Sequence, residues 1–467
     1  MKLKFNILLL ILVCILSGCN FKLTLPSLNQ PTTNDKNDSN GNDQKDEVSY
    51  YGSDNDIYRI NITTSDSSLP TSTSTYKTAT LNITEQDTSK ILFDTSNIKI
   101  RVRGNSTSAP DKKPYKIKFD VGTSLFGLTK AKDWVLLANY FDRSNIRNYL
   151  AYTLANKLDN LDFQPSCIFV DLYINNEYRG LYTLCEQIEA NNGRVDIKKN
   201  ISQDEISSFL LEVDDRAQDE YKGYKNKCYF TIGEYDIAFK YPSATEYIEA
   251  LEINDQAYID EYIKNTSWAI NYFNEVNTVI KNGTYTQIES YLDIDSFIDY
   301  YFVQEFFKNV DVSSTSQFYV IDQALDVVKI KCGPVWDFDI SSGVIDNSQG
   351  STYSYYTNTE LYVRNVDYFY KTLFGKREFN EKVKERYNEI RPLLLETISE
   401  IENIKNSLTK AQTRNIRKWN FPTTRQYWIE VNGMANSYFN LTSVNNHYKY
   451  LKEFLEARVA LLDKNYL

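Results

Sequence analysis

The spacing of apolar residues changes along this chain, and the changes predict its elements. From Thr78 to about residue 240 the period is two. Ile98, Ile100 and Val102 alternate with Lys99, Arg101 and Arg103, and Tyr115, Ile117 and Phe119 alternate with Lys116 and Lys118. That is the pattern of half-buried strands, one face in the core and one in water. Residues 170–182 predict a hairpin turning at Asn175-Asn176, its second strand running on to Glu186. Residues 209–213 and 230–239 predict further strands. Inside this span Ile146, Leu150 and Leu154 form the buried stripe of a helix that Asp142 or Ser144 caps.

From residue 243 to 310 the period lengthens, and Ile298, Phe302 and Phe306 mark a buried helix face that ends at Asn309-Val310-Asp311. Residues 316–320 predict a strand, and after a hairpin at Gln323 the run 324–330 predicts another. It leads into Lys331-Cys332-Gly333-Pro334-Val335-Trp336-Asp337-Phe338-Asp339, where the Gly-Pro pair ends the ladder. Beyond a Ser- and Tyr-rich loop, Phe379, Val383, Tyr387, Ile390 and Leu394 mark a helix that Pro392 bends, and Tyr448, Leu451, Leu455 and Val459 mark the last one. The fold class is α+β, with a sheet-rich part over 77–240 and a mainly helical part over 241–467.

The first residues carry a different signal. Lys2 and Lys4 precede an apolar run from Phe5 to Leu16, too short for an ordinary membrane span. Leu16-Ser17-Gly18-Cys19 follows, which resembles a bacterial lipoprotein processing box with 1–18 as signal and Cys19 as the lipidated residue. Residues 19–76 are rich in Asn, Asp, Ser and Thr and predict a polar tether and ragged domain edge. The expected location is extracytoplasmic, anchored to the cell membrane by lipid.

Charge and composition narrow the chemistry. The net charge of -10, without a dense basic tract, argues against a nucleic-acid partner. The single histidine, His447, argues against histidine-ligated zinc and against Ser-His-Asp or Cys-His catalysis, and makes His447 an ordinary surface or packing residue. Cys167, Cys185, Cys228 and Cys332 lie beyond the signal with no C-x-x-C spacing, so disulfides and buried free thiols are both open.

The candidate chemistry is acidic. If extended, residues 337–339 place Asp337 and Asp339 on one face and Phe338 in the core. Asp311 is one hairpin away, so strand ends bring three carboxylates into one cleft. One orients a hydroxyl, two hold a hard cation, and a lysine from Lys116 or Lys118 neutralises phosphate, which is what phosphoryl transfer needs. The same inventory suits metal-dependent glycosyl transfer and a calcium-stabilised adhesive module. Arg143 and Arg147 share a helix face and read as structural ion-pair partners.

Several separated motifs occur in order: Arg103-Gly104-Asn105-Ser106-Thr107, Lys113-Pro114-Tyr115-Lys116-Ile117-Lys118-Phe119, Trp134 to Asn139 with Arg147-Asn148, Asn176-Glu177-Tyr178-Arg179-Gly180, Glu186-Gln187-Ile188, Asn309-Val310-Asp311 and Gly333 to Asp339. The set resembles the CotH family, named for a spore-coat protein and known as atypical secreted protein kinases. The resemblance implies a protein-kinase-like two-lobed fold, ATP with Mg²⁺ or Mn²⁺, and phosphorylation of Ser/Thr in exported or surface proteins. It implies Asp311 as catalytic, Asp337 and Asp339 as metal ligands, and Lys116, Lys118, Arg103, Asn105 and Glu186 at the nucleotide. Val102 and Ser108 depart from the family pattern beside the nucleotide loop. A non-catalytic surface module and a metal-dependent glycosyl or nucleotidyl transferase are the alternatives.

Overall fold

The computed structural model describes residues 56–199, 205–312, 314–346 and 360–467. The signal segment and Cys19 lie outside the described residues. Among the described residues no helix is long and apolar enough to cross a membrane.

Seven strands close into a barrel: β1 (Tyr58–Thr64), β2 (Lys77–Thr84), β3 (Ile91–Val102), β4 (Tyr115–Thr123), β5 (Ala131–Leu137), β6 (Cys167–Ile174) and β7 (Glu177–Glu186). Neighbours run in the order β1-β2-β3-β4-β5-β7-β6, and a parallel pairing of β1 with β6 completes the ring. β1 falls inside the span 19–76 expected as tether. Its alternation of Tyr58, Ile60 and Ile62, each buried, places that stretch in the barrel instead. The β6–β7 hairpin turns at Asn175 and Asn176 as expected, both with positive φ (52° and 64°), which asparagine tolerates and the strand twist favours.

β5, β6 and β7 are covered on both faces. Val135, Phe169, Leu181 and Cys185 join the main core, which the helices share. By alternation Trp134, Ile168 and Leu184 point into the barrel, and all three are fully buried. This double burial explains why β6 reads as a nearly unbroken apolar run.

A second sheet has five antiparallel strands in the order β12-β11-β8-β10-β9. β8 (Phe209–Val213), β9 (Tyr229–Ile232) and β10 (Tyr235–Tyr241) come from the sheet-rich part, and β11 (Gln317–Ile321) and β12 (Ile330–Cys332) from beyond the first helices. The strand expected over 324–330 shrinks to Ile330–Cys332, because only those residues pair with β11. Leu325 and Val327 lie in the exposed connection at 43% and 60% exposure.

The helix Ile294–Phe307 is buried on nearly every side and is the axle of the helical part. The helix Arg377–Ser407 runs through Pro392, and Val444–Tyr466 closes the chain. The short helix Thr409–Lys418 leads back to the barrel wall. Asn415 Oδ1 accepts from Leu181 N at 3.1 Å, and Arg414 pairs with Asp56 and Asp171. Cys167, Cys185, Cys228 and Cys332 are free and buried, with Cys167 facing Cys185 across β6 and β7.

His447 is fully buried, its Nε2 bonded to Leu441 O at 3.1 Å and its ring against Phe421 and Tyr438. Burial, followed by the charges of Arg143 and Arg147, pushes its pKa down to about 3 from 6.5. The folded state therefore refuses a proton that the unfolded chain takes up below pH 6.5. This contribution is complete above that pH and is lost as pH falls toward 3. Acidification from pH 7 to 5 is expected to cost about 2 kcal/mol through this group. The only imidazole in the chain is expected to hold one NMR shift across that range, and a titration midpoint near 6 would refute this.

Candidate functional site

The acidic loop is fixed by side chains that the helices deliver. Phe338 N donates to Asn148 Oδ1 at 2.7 Å and Val335 N to Gln164 Oε1 at 2.9 Å. Asn309 Nδ2 donates to Asp337 O at 3.3 Å, tying the loop to the end of the axle helix. Trp336 stacks on Tyr152 with centroids 5.6 Å apart, and Tyr152 Oη accepts from Asp337 N at 3.3 Å. Phe338 is fully buried against Phe307 and Tyr152. The loop is not extended: Asp337 has φ 62°, in the left-handed region. A turn, rather than strand alternation, brings the two carboxyls of Asp337 and Asp339 together while Phe338 still reaches the core.

Arg147 secures the far side. It pairs with Asp142 at 2.6 Å and donates from Nε to Ser341 O at 3.0 Å. Asp142 in turn accepts from Ser144 N and Arg147 N, holding the entry to the helix Arg147–Ala155. The structural ion pair expected for Arg147 is present, and Arg143 lies 3.9 Å from Glu430.

Asp311 follows the axle helix after Lys308, whose φ of 46° ends that helix. Asp311 N donates to Asn309 Oδ1 at 3.2 Å. Burial, then the charge of Asp337, pushes the Asp311 carboxyl up to about 7. The Asp339 carboxyl, 5% exposed, is raised well above the usual carboxylate range by burial and by Asp337, Asp311 and Asp142. Asp337 is raised by burial and drawn back by Arg103 and Arg216, and it shares a hydrogen bond with Asp339. The three aspartates thus act on one another.

Two adjoining carboxyls, Asp339 buried and Asp337 half-buried, form an oxygen donor set that fits a hard divalent cation between them. Among the described residues, however, no three His, Cys, Asp or Glu side chains close into a metal cage. Asp311 acts on the pair through charge. A pair suffices for Mg²⁺, which takes one or two carboxylates and completes its shell with phosphate and water.

The other expected site residues are placed unequally. Arg103 lies over the Trp336 ring at 5.6 Å and faces the acids. Asn105 is exposed in the turn after β3, with its amide against Arg216. Lys116 is paired with Asp133 at 3.0 Å, and Lys118 is exposed on the same outward face of β4, opposite Ile117. Glu186 is buried, accepting from Arg194 Nη1 at 2.7 Å and Ser166 N at 2.9 Å. The charges that act most on the aspartates are their own, with Arg103, Arg216, Asp215 and Asp142. Lys116, Lys118 and Glu186 are not among them.

Sequence reasoning misses Arg216, whose only signal is a charged Asp214-Asp215-Arg216 cluster after an apolar strand. It also misses the burial of Lys112, beside β7. Lys112 is 2% exposed and donates to Leu181 O at 2.8 Å, and burial pushes its pKa down to about 7.

A protein-family model described as CotH kinase protein matches residues 100–462. No curated protein matches the chain.

Proposed function

The chain belongs to the CotH family, and from that premise we propose that it transfers the γ-phosphate of ATP to Ser or Thr hydroxyls of exported or surface proteins. The observation that carries this reading is the mutual influence of Asp311 with the Asp337–Asp339 pair, on which the charges of Arg103 and Arg216 also act. In this reading the barrel is the nucleotide-side lobe of a kinase-like pair and the helical part the other. Residues 1–18 direct export, and Cys19 carries the lipid that keeps the protein at the membrane surface.

Asp337 and Asp339 would hold Mg²⁺ or Mn²⁺, which when bound compensates phosphate charge. Asp311 orients the acceptor hydroxyl and takes its proton. A carboxyl pushed up to about 7 is basic enough to do so near neutral pH and still largely ionised just above it. Arg103, stacked on Trp336, binds phosphate oxygens. Lys116 and Lys118 would reach the nucleotide only by a change of position, Lys116 giving up Asp133. Glu186, held by Arg194, supports the barrel wall behind the site.

ATP with Mg²⁺ or Mn²⁺ is expected to raise the melting temperature of the wild type. Saturation to 100 times Kd is worth about 2.7 kcal/mol. Asp339→Ala is expected to lose that rise entirely while still unfolding cooperatively. No rise with either metal would overturn the kinase reading in favour of a non-catalytic surface module. A larger rise with a nucleotide sugar would point instead to glycosyl or nucleotidyl transfer.

A further inference from the structure

Arg216 faces the acidic centre from the second sheet, and its backbone is fixed relative to Asp311. Asp214 N donates to Asp236 O at 2.9 Å and Asp215 N to Ser314 O at 2.9 Å, while Ser314 N donates to Asp311 O at 3.0 Å. This short ladder places the Asp214-Asp215-Arg216 turn beside the segment that carries Asp311.

The guanidinium is only partly engaged. Its Nε donates to Asp214 Oδ1 at 3.2 Å, and the side chain is 44% exposed. Its two terminal nitrogens are met by Asn105. With the amide oxygen turned toward the guanidinium, Asn105 accepts from both, at 3.1 Å from Nη2. Asn105 sits two residues beyond Arg103, whose side chain makes no hydrogen bond among the described residues and rests over Trp336 at 5.6 Å. The turn after β3 therefore carries one guanidinium without a hydrogen-bond partner and covers a second with a neutral amide.

We infer that Arg216 is a phosphate-binding residue that closes a two-arginine clamp with Arg103, and that Asn105 occupies its fork until phosphate oxygens displace it. The planar fork matches two phosphate oxygens, and an ionised acceptor adds the attraction of opposite charges that the neutral amide lacks. The exchange of Asn105 for phosphate is therefore downhill. Cations are also needed here on electrostatic grounds, because a polyphosphate approaching three aspartates is otherwise repelled. The identity of the phosphate compound as ATP rests on the kinase reading, whereas the clamp itself requires only a polyphosphate.

Calorimetric titration of the full chain with inorganic tripolyphosphate, with and without Mn²⁺, tests this. Wild type is expected to bind. Arg216→Gln is expected to weaken binding about 10- to 100-fold, the span of a lost charge-assisted pair. Arg216→Lys should recover part of the loss, since it keeps the charge without the fork. Asn105→Ala should bind tripolyphosphate several-fold more tightly, because the competing acceptor is gone. A wild type that ignores tripolyphosphate under both conditions overturns the inference. So does an Arg216→Gln variant that binds as well as wild type, or an Asn105→Ala variant that binds no better. Wild type that binds tripolyphosphate but not ATP would overturn the nucleotide assignment and leave the clamp standing.

Discussion

Asp311→Asn is expected to move stability and activity in opposite directions. Transfer of labelled phosphate from ATP to co-exported proteins should fall about 10²- to 10⁴-fold, the usual contribution of a positioned base. The folded protein should meanwhile become more stable at pH 8. The Asp311 carboxyl is raised from 3.8 to about 7, first by burial and then by Asp337. Between those values the folded state holds a proton that the unfolded state has released, so the penalty for ionising Asp311 grows as pH rises and is complete above 7. Asparagine has the same shape and no charge, and removes a penalty of up to about 4 kcal/mol. Urea unfolding of both proteins at pH 8 and pH 3 checks the sign: the gain should be present at pH 8 and vanish at pH 3, below both values. A variant less stable than wild type at pH 8, or one that retains transfer, would contradict the assignment. An acidic residue kept where it destabilises the fold is expected where function demands it.

The parts of this molecule that follow a local period were legible from residue order, and the parts that depend on distant pairings were not. The faces of β3 and β4 follow directly from alternation, including the outward direction of Lys116 and Lys118. That same direction turns both lysines away from the barrel interior, whereas Lys112 is buried against β7 beside Leu181 and Asn145. Lys112 precedes a proline-interrupted strand start, where no period marks a face. Closure of the barrel joins β1 to β6, residues more than a hundred positions apart, and no local signal announces a parallel partner. The three aspartates were legible because their motifs stand at a helix end and a Gly-Pro break. Their arrangement was not, because it depends on Asp337 adopting a left-handed conformation that Tyr152, Asn148 and Asn309 hold in place. Arg216 was hidden for a related reason. A charged turn after a strand is the commonest kind of surface, and only the ladder to Ser314 and the contact with Asn105 mark it as part of a site.

The largest effect on stability is expected from Arg458→Met, on the closing helix. Arg458 and Glu305 are both fully buried and form an ion pair with one another. Arg458 also donates from Nε to Glu305 O at 3.1 Å and from Nη1 to Glu360 O at 3.0 Å. Glu305 accepts from Tyr362 N at 2.7 Å and Val363 N at 2.8 Å. One carboxylate thus ties the axle helix, the 360–363 segment and the closing helix together. Removing only the cation leaves that carboxylate buried without its partner, at a cost of about 3–5 kcal/mol. Lys449→Ala, which breaks a pair whose side chains are 72% and 61% exposed, should change stability by less than about 1 kcal/mol. Combining Arg458→Met with Glu305→Gln should recover part of the loss, since glutamine removes the charge yet keeps an acceptor for one backbone N–H. Urea unfolding of the four proteins gives the ordering, and equal losses in Arg458→Met and Lys449→Ala would refute it. The effect should also reach the site. Glu305 lies three residues before Lys308, the turn that aims Asn309 and Asp311, so phosphate transfer should fall in Arg458→Met although Arg458 touches none of the three aspartates. Glu305→Gln with Arg458→Met should then recover part of the stability and part of the transfer together, because both depend on the same end of the same helix.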